Sequence, residues 1–151
     1  MNFKLTIVGA IVFFLVSNIV GMAGGKFIHE GILMDEYQKT SEFWRPELRT
    51  GTETEDMAAL MPLWLANSFL LSLVVAGIYS CVHGALNGPG WKKGLVWGLS
   101  LGIFAAVIAR SYAGVFDLPS NIFLWWGIDA IVNFTLAGAV MGWAGAKWGG
   151  G

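Results

Sequence analysis

Four apolar stretches, residues 3–25, 59–83, 91–113 and 121–148, take up most of this chain. Each is long enough to cross a bilayer, which takes roughly 20 apolar residues at 1.5 Å rise per residue. In hydrocarbon every backbone N–H and C=O must be satisfied, and a helix does this within its own segment. The pattern predicts an all-α integral membrane protein: four transmembrane helices in an up-down bundle, one domain over residues 1–151. Composition agrees. The chain is 13% charged, where soluble domains average about a quarter, and its mean hydropathy is +0.64. The first stretch has some marks of a signal peptide, a thin basic start at Lys4 and small residues at Met22-Ala23-Gly24. Its apolar part is longer than the usual signal core, so it is expected to stay as a span.

One long polar interval, residues 26–58, separates the first two spans. Phe27, Ile28, Ile32, Leu33 and Tyr37 recur at helical spacing, with His29, Glu30, Asp35, Glu36 and Lys39 on other faces. This predicts that the first helix continues beyond the membrane. Trp44-Arg45-Pro46 should end it, because the residue before a proline is pushed out of the helical region. Residues 51–54 read as a loop and residues 54–56 as an acidic helix start, with Pro62 in the first turn of the second span. Asn87-Gly88-Pro89-Gly90 and Asp117-Leu118-Pro119-Ser120 read as tight turns, with Ser120 capping the fourth helix. The Gly149-Gly150-Gly151 tail should be disordered.

Basic residues in short loops set orientation. Lys4, Lys92, Lys93 and Lys147 fall on one side, and the acidic interval falls on the other. Both termini are expected in the cytoplasm of a bacterial inner membrane, with residues 26–58 outside. Trp64, Trp125 and Trp126 would mark the outer interface, and Trp91 and Trp148 the inner one. Leu63-Trp64 matches Leu124-Trp125 at an offset of 61, as do Ala76-Gly77 with Ala137-Gly138 and Gly84-Ala85 with Gly145-Ala146. This is the pattern of two helical hairpins related by a pseudo-twofold, or of small residues recurring by chance.

Polar groups inside apolar spans point best to function, because each is costly unless partnered. Asn18, Asn67, Arg110 and Asp129 all fall within roughly 5–12 Å of the outer ends of their spans at helical rise, and Asn133 lies one turn deeper than Asp129. They are expected to form a polar layer, either an Arg110–Asp129 ion pair with interhelical asparagine bonds or an outward-facing cavity with Asp129 as its charged element. The His29, Glu30, Asp35 and Glu36 group is better read as a solvated acidic face than as a metal site, since adjacent helical residues diverge by roughly 100°. His29 and His83 fall at opposite ends of their spans, roughly 30 Å apart across the hydrocarbon, which excludes a shared haem iron. No cofactor and no metal is expected. The single cysteine, Cys81, rules out an internal disulfide, and a net charge of −1 gives no nucleic-acid footprint.

Contacts with other chains have two candidate places. Trp44 and Arg45 form a rigid aromatic, cationic corner of the kind enriched at binding hot spots, or else sit among lipid headgroups. Gly94, Gly98 and Gly102 form a stripe of small residues on the third helix, with Gly138 and Gly142 on the fourth, and such stripes allow close helix approach. We expect the third-helix stripe to face another chain. The four spans, the polar extension and the Trp-Arg-Pro corner resemble small four-helix bacterial integral membrane proteins over the whole chain. That resemblance is one of layout and implies no activity and no site residues. The third helix is also similar to that of small multidrug transporters in its glycine spacing. The acid expected in their first helix is absent here, where the polar groups are Lys4, Thr6, Ser17 and Asn18. The expected function is therefore a non-enzymatic accessory or structural subunit of a larger membrane assembly, homo- or hetero-oligomeric. The alternative is a small oligomeric transporter or channel for a solute or ion.

Overall fold

A computed structural model describes residues 2–44 and 54–150, with the backbone alone at 54–57. The described residues are all helical. Helix α1 (Phe3–Gly24) runs without a break into a π-helix (Gly25–Ile32), followed by a short α2 (Met34–Lys39) and a 3-10 turn (Ser41–Phe43). The remaining long helices are α3 (Thr54–Val82), α4 (Gly90–Ser111) and α5 (Ser120–Trp148). Four helical segments are long and apolar enough to cross a membrane: Phe3–Ile32, Ala58–Ala85, Gly90–Gly114 and Ser120–Trp148.

Local signals set most of these bounds. Asn2 caps α1 by accepting the Leu5 N–H through its side chain at 3.1 Å. Gly88 takes φ +106°, a conformation that favours glycine, and so turns the chain tightly into α4. Two expectations shift by position. Pro119, rather than Ser120, occupies the cap of α5. Pro62 lies well inside α3, because that helix begins as early as Thr54. The tail expectation fails at Gly149, which is buried and bonds its N–H to the Gly145 carbonyl at 2.8 Å, closing α5.

The first helix does not carry on straight to Trp44. Its last turns widen into the π-helix, and the chain bends at Leu33, whose N–H reaches back five residues to the Ile28 carbonyl at 2.8 Å. Burial drives the bend. Ile28, Leu33 and Ile122 form a small buried cluster, covered by Tyr37, Trp44, Leu118, Trp125 and Trp126. The polar interval thus folds over the start of α5. Arg45, Pro46 and the loop at 51–53 lie outside the described residues.

The long helices pack antiparallel in the order α3, α1, α5, α4. The main buried cluster joins Leu5, Ala10 and Phe13 of α1, Val75, Ala76 and Tyr79 of α3, and Ala137 and Met141 of α5. Helix α3 does not pack along α4. An apolar cleft of about 360 Å³ separates them, bounded on a third side by Trp126 and Phe134 of α5. The two hairpins are therefore not equivalent. A pseudo-twofold that pairs α1 with α4 and α3 with α5 would turn the α1–α5 contact into an α3–α4 contact, which the cleft replaces.

The glycine stripe of α4 faces its own chain, which corrects the expectation of a partner at Gly94, Gly98 and Gly102. All three are buried. A methyl added at Gly94 would run into the Gly138 carbonyl and lie 2.7 Å from Gly142 Cα. One at Gly98 would strike the Phe134 carbonyl, and one at Gly102 would lie 2.7 Å from Ile131 Cα. From the other side, a methyl at Gly138 would lie 2.8 Å from Gly98 Cα. The obstacles are backbone atoms, which cannot swing aside. This close van der Waals approach holds α4 to α5.

Gly98→Ala tests the interlock. Helix propensity alone would favour alanine by about 1 kcal/mol, but overpacking against backbone typically costs about 1–3 kcal/mol. Gly98→Ala should lower the melting temperature of the detergent-solubilised protein, and Gly98→Leu should prevent folding of the single chain. Gly84→Ala, where nothing lies within 4 Å, should leave the melt unchanged or slightly raised. Equal melts for Gly98→Ala and the parent would sink the assignment.

Candidate functional site

The polar residues of the spans converge on one face of α1. Thr6 donates from Oγ1 to Ser80 Oγ of α3 at 3.0 Å. Asn18 donates from Nδ2 to Ser68 Oγ of α3 at 3.0 Å and to the Phe14 carbonyl at 2.7 Å. Asn133 of α5 donates to the Ser17 carbonyl at 3.1 Å, while its Oδ1 is buried with no partner among the described residues. One turn further along α5 toward its start, the Asp129 carboxylate rests on Gly24, where an added methyl would meet Oδ1 and push the carboxylate aside.

Of the five polar residues expected to share a layer, the structure brings Asn18, Asp129 and Asn133 to α1. It leaves Asn67 and Arg110 exposed. The expected Arg110–Asp129 ion pair does not form. Arg110 reaches the Ser120 carbonyl at 3.5 Å, across the α4–α5 turn. Asp129 faces the opposite way because the glycine interlock uses the α4 side of α5, leaving its polar side to α1.

Asp129 makes no ion pair and no hydrogen bond with any described residue. Above it lies a bonded cluster from the polar interval. Trp126 Nε1–H donates to Tyr37 Oη at 2.8 Å, and Oη meets His29 Nδ1 at 2.7 Å. The His29 and Tyr37 rings stack with centroids 5.9 Å apart, and Trp44 sets its ring edge-on to both Tyr37 and Trp126. Trp44 Nε1–H donates to Thr40 Oγ1 at 3.0 Å, and Thr40 in turn donates to the Glu36 carbonyl at 2.7 Å. Burial pushes the Tyr37 hydroxyl above its ordinary value; the bond from Trp126 opposes the shift, and the negative charge of Asp129 adds to it.

The π-helix makes this cluster possible. Five-residue spacing widens the backbone between Gly25 and Ile32 and turns His29 toward Tyr37. Such insertions occur often at functional sites. His29 is half-buried and hydrogen-bonded, whereas the sequence reading had placed it on a solvated acidic face. That expectation holds for Glu30 and Asp35, which are exposed. The reading also missed Tyr37, Trp126, Gly24, Ser17 and Ser68. Helical spacing marked Tyr37 as apolar-facing, but nothing local showed what it would meet. No group of three metal-ligating side chains gathers among the described residues. What the arrangement can do chemically is hold a carboxylate beside a histidine, at one end of long apolar helices, under an aromatic lid.

No family model, no curated protein and no solved structure matches this chain.

Tyr37→Phe should lower stability by about 1–3 kcal/mol, because it strands the Trp126 N–H and leaves His29 without its partner. Since folding raises the Tyr37 value, its contribution is present below about pH 10, the ordinary tyrosine value, and is lost as pH rises above it. Melting curves on the solubilised protein at pH 7 and pH 11 check both points: the deficit of Tyr37→Phe against the parent should shrink at the higher pH. Glu30→Gln, at an exposed position, should match the parent.

Proposed function

We propose that this chain spans a membrane four times with both termini in the cytoplasm, and serves as a non-enzymatic subunit of a larger membrane assembly. The carrying observation is Asn67. Its side chain is exposed on α3 and makes no hydrogen bond with any described residue. It lies about 13 Å along the span from Ala58 at helical rise. Its neighbours at helical spacing, Leu63, Trp64, Leu70, Leu71, Val74 and Ile78, are all exposed as well. Leu71, Val74 and Ile78 also wall the α3–α4 cleft. An amide facing lipid at that depth is costly, and a bond across to another helix removes the cost. This support moves the contact away from the glycine stripe, which is used within the chain, and onto α3.

The test is native mass spectrometry after gentle solubilisation. The parent should carry at least one further polypeptide chain beyond its own 16.3 kDa, either a second copy or another protein. Asn67→Leu should release it with no loss of melting temperature, because the amide bonds to no described residue of its own chain. A parent that stays a single chain would remove the proposal.

A second reading, a small proton- or ion-coupled transporter or channel, is supported by Asp129. An intramembrane carboxylate without an ion pair or hydrogen bond is a usual relay element. Under this reading the protein reconstituted in liposomes should dissipate an imposed pH gradient, and Asp129→Asn should abolish that flux while preserving the fold. Tight liposomes with the parent protein would dismiss it.

A further inference from the structure

The end of the molecule opposite Asp129 holds a feature that neither reading uses. The start of α1, the end of α3, the start of α4 and the end of α5 meet around a cavity of about 200 Å³, lined by Leu5, Tyr79, His83, Gly88, Gly90 and Lys93 among others. Three kinds of group face it. Lys93, in the first turn of α4, has no carboxylate within 4 Å among the described residues. His83 donates Nδ1–H to the Ser80 carbonyl at 3.0 Å and sets its ring at the cavity wall. Gly90 begins α4, a helix of 22 residues whose N-terminus has no side-chain cap. Unbonded N–H groups and the helix dipole at such a terminus favour an anion.

A helix start and a lysine alone would not make a site. The independent observation is Tyr79. Its side chain is only 2% exposed, it lines the cavity, and its hydroxyl has no hydrogen-bond partner among the described residues. Buried tyrosine hydroxyls normally find a partner. Tyr79 lines the cavity beside the His83 ring, whose centroid lies 5.8 Å from its own.

Charge strengthens the case. The described acidic side chains, Glu30, Asp35, Glu36, Glu42, Asp117 and Asp129, lie toward the other end. Among the described residues the cavity end carries Lys4, His83, Lys92, Lys93 and Lys147 and no carboxylate side chain. Lys92 and Lys147 are exposed, and Lys147 lies over the rings of Trp143 and Trp148 at 5.3 and 5.1 Å. Tryptophans and lysines at helix ends mark the level of lipid headgroups, where a bilayer presents phosphate.

We propose that this cavity binds a phosphate group. The Lys93 ammonium and the Tyr79 hydroxyl donate to its oxygens, and the N-terminus of α4 supplies backbone N–H groups. A tetrahedral anion with several acceptor oxygens suits donors arriving from α3 and α4 together. The charged side chain lining the cavity, Lys93, disfavours a cation. The phosphate belongs either to an anionic lipid headgroup or to a free solute, and the two sources are separable.

The test uses the full chain purified in a neutral maltoside detergent, with two probes: inorganic phosphate, and short-chain phosphatidic acid with phosphatidylcholine as its comparison. Binding is read from the shift in melting temperature and from adducts in native mass spectrometry. Stabilisation by inorganic phosphate supports a free-solute site. Stabilisation by phosphatidic acid, but not by inorganic phosphate or phosphatidylcholine, supports a headgroup site. In either case Lys93→Ala should weaken binding about tenfold or more, and Tyr79→Phe about fivefold, with ligand-free melts close to the parent. If Tyr79→Phe fails to fold, Lys93→Ala alone decides. The proposal is overturned if neither probe binds, if Lys93→Ala binds as the parent does, or if Lys147→Ala weakens binding as much as Lys93→Ala does.

Discussion

Everything in this molecule is arranged around the backbone contact between α4 and α5. Gly94 and Gly98 meet Gly138 and Gly142 so closely that no methyl fits at any of the four. The attraction is dispersion summed over many short contacts, strong only while the surfaces match. One consequence is geometric. The α4-facing side of α5 is fully committed, so the chain's remaining polar groups on that helix, Asp129 and Asn133, must be met by α1.

Helix α1 holds its neighbours by different means. It meets α3 through paired hydroxyl and amide groups, Thr6 with Ser80 and Asn18 with Ser68, and small-residue contact between Gly9 and Ala76. It meets α5 through Phe13 against Phe134, the Asn133 bond to Ser17, and Gly24 under Asp129. Polar bonds at several depths fix the register of antiparallel helices, since sliding by one turn would break all of them together. The carboxylate at Gly24 and the change to π geometry one residue later stand side by side in the chain. Widening there gives His29 and Tyr37 their places over the first turns of α5.

The two ends of the helices are chemically opposite. One gathers the acidic residues and a lid of hydrogen-bonded aromatics; the other has cationic side chains around a cavity. Asn67 belongs to neither, standing alone on the open side of α3. An assembly contact on α3 and an anion site at the cationic end are physically independent, because they draw on different surfaces and different forces.

The sequence by itself determined the number of long apolar helices, the tight turn at Gly88 and the segregation of charge. These depend on local composition, backbone preference and the length of an apolar run. It also marked Gly94, Gly98, Gly102, Gly138 and Gly142 of the interlock and the polar residues Asn18, Asn67, Arg110, Asp129 and Asn133. The tertiary structure decided what each one faces. A stripe of glycines reads alike whether its neighbour is another chain or the next helix, and only packing showed the Gly94, Gly98 and Gly102 stripe turned inward. Depth along a span gave Arg110 and Asp129 the same level. Rotation about the helix axis is invisible in depth, and it placed them on different sides. The bend at Leu33, which moved His29 from a supposed solvent face to a half-buried place beside Tyr37, follows from apolar surface on α5 more than eighty residues away. Long-range burial of that kind leaves no signature in the local pattern.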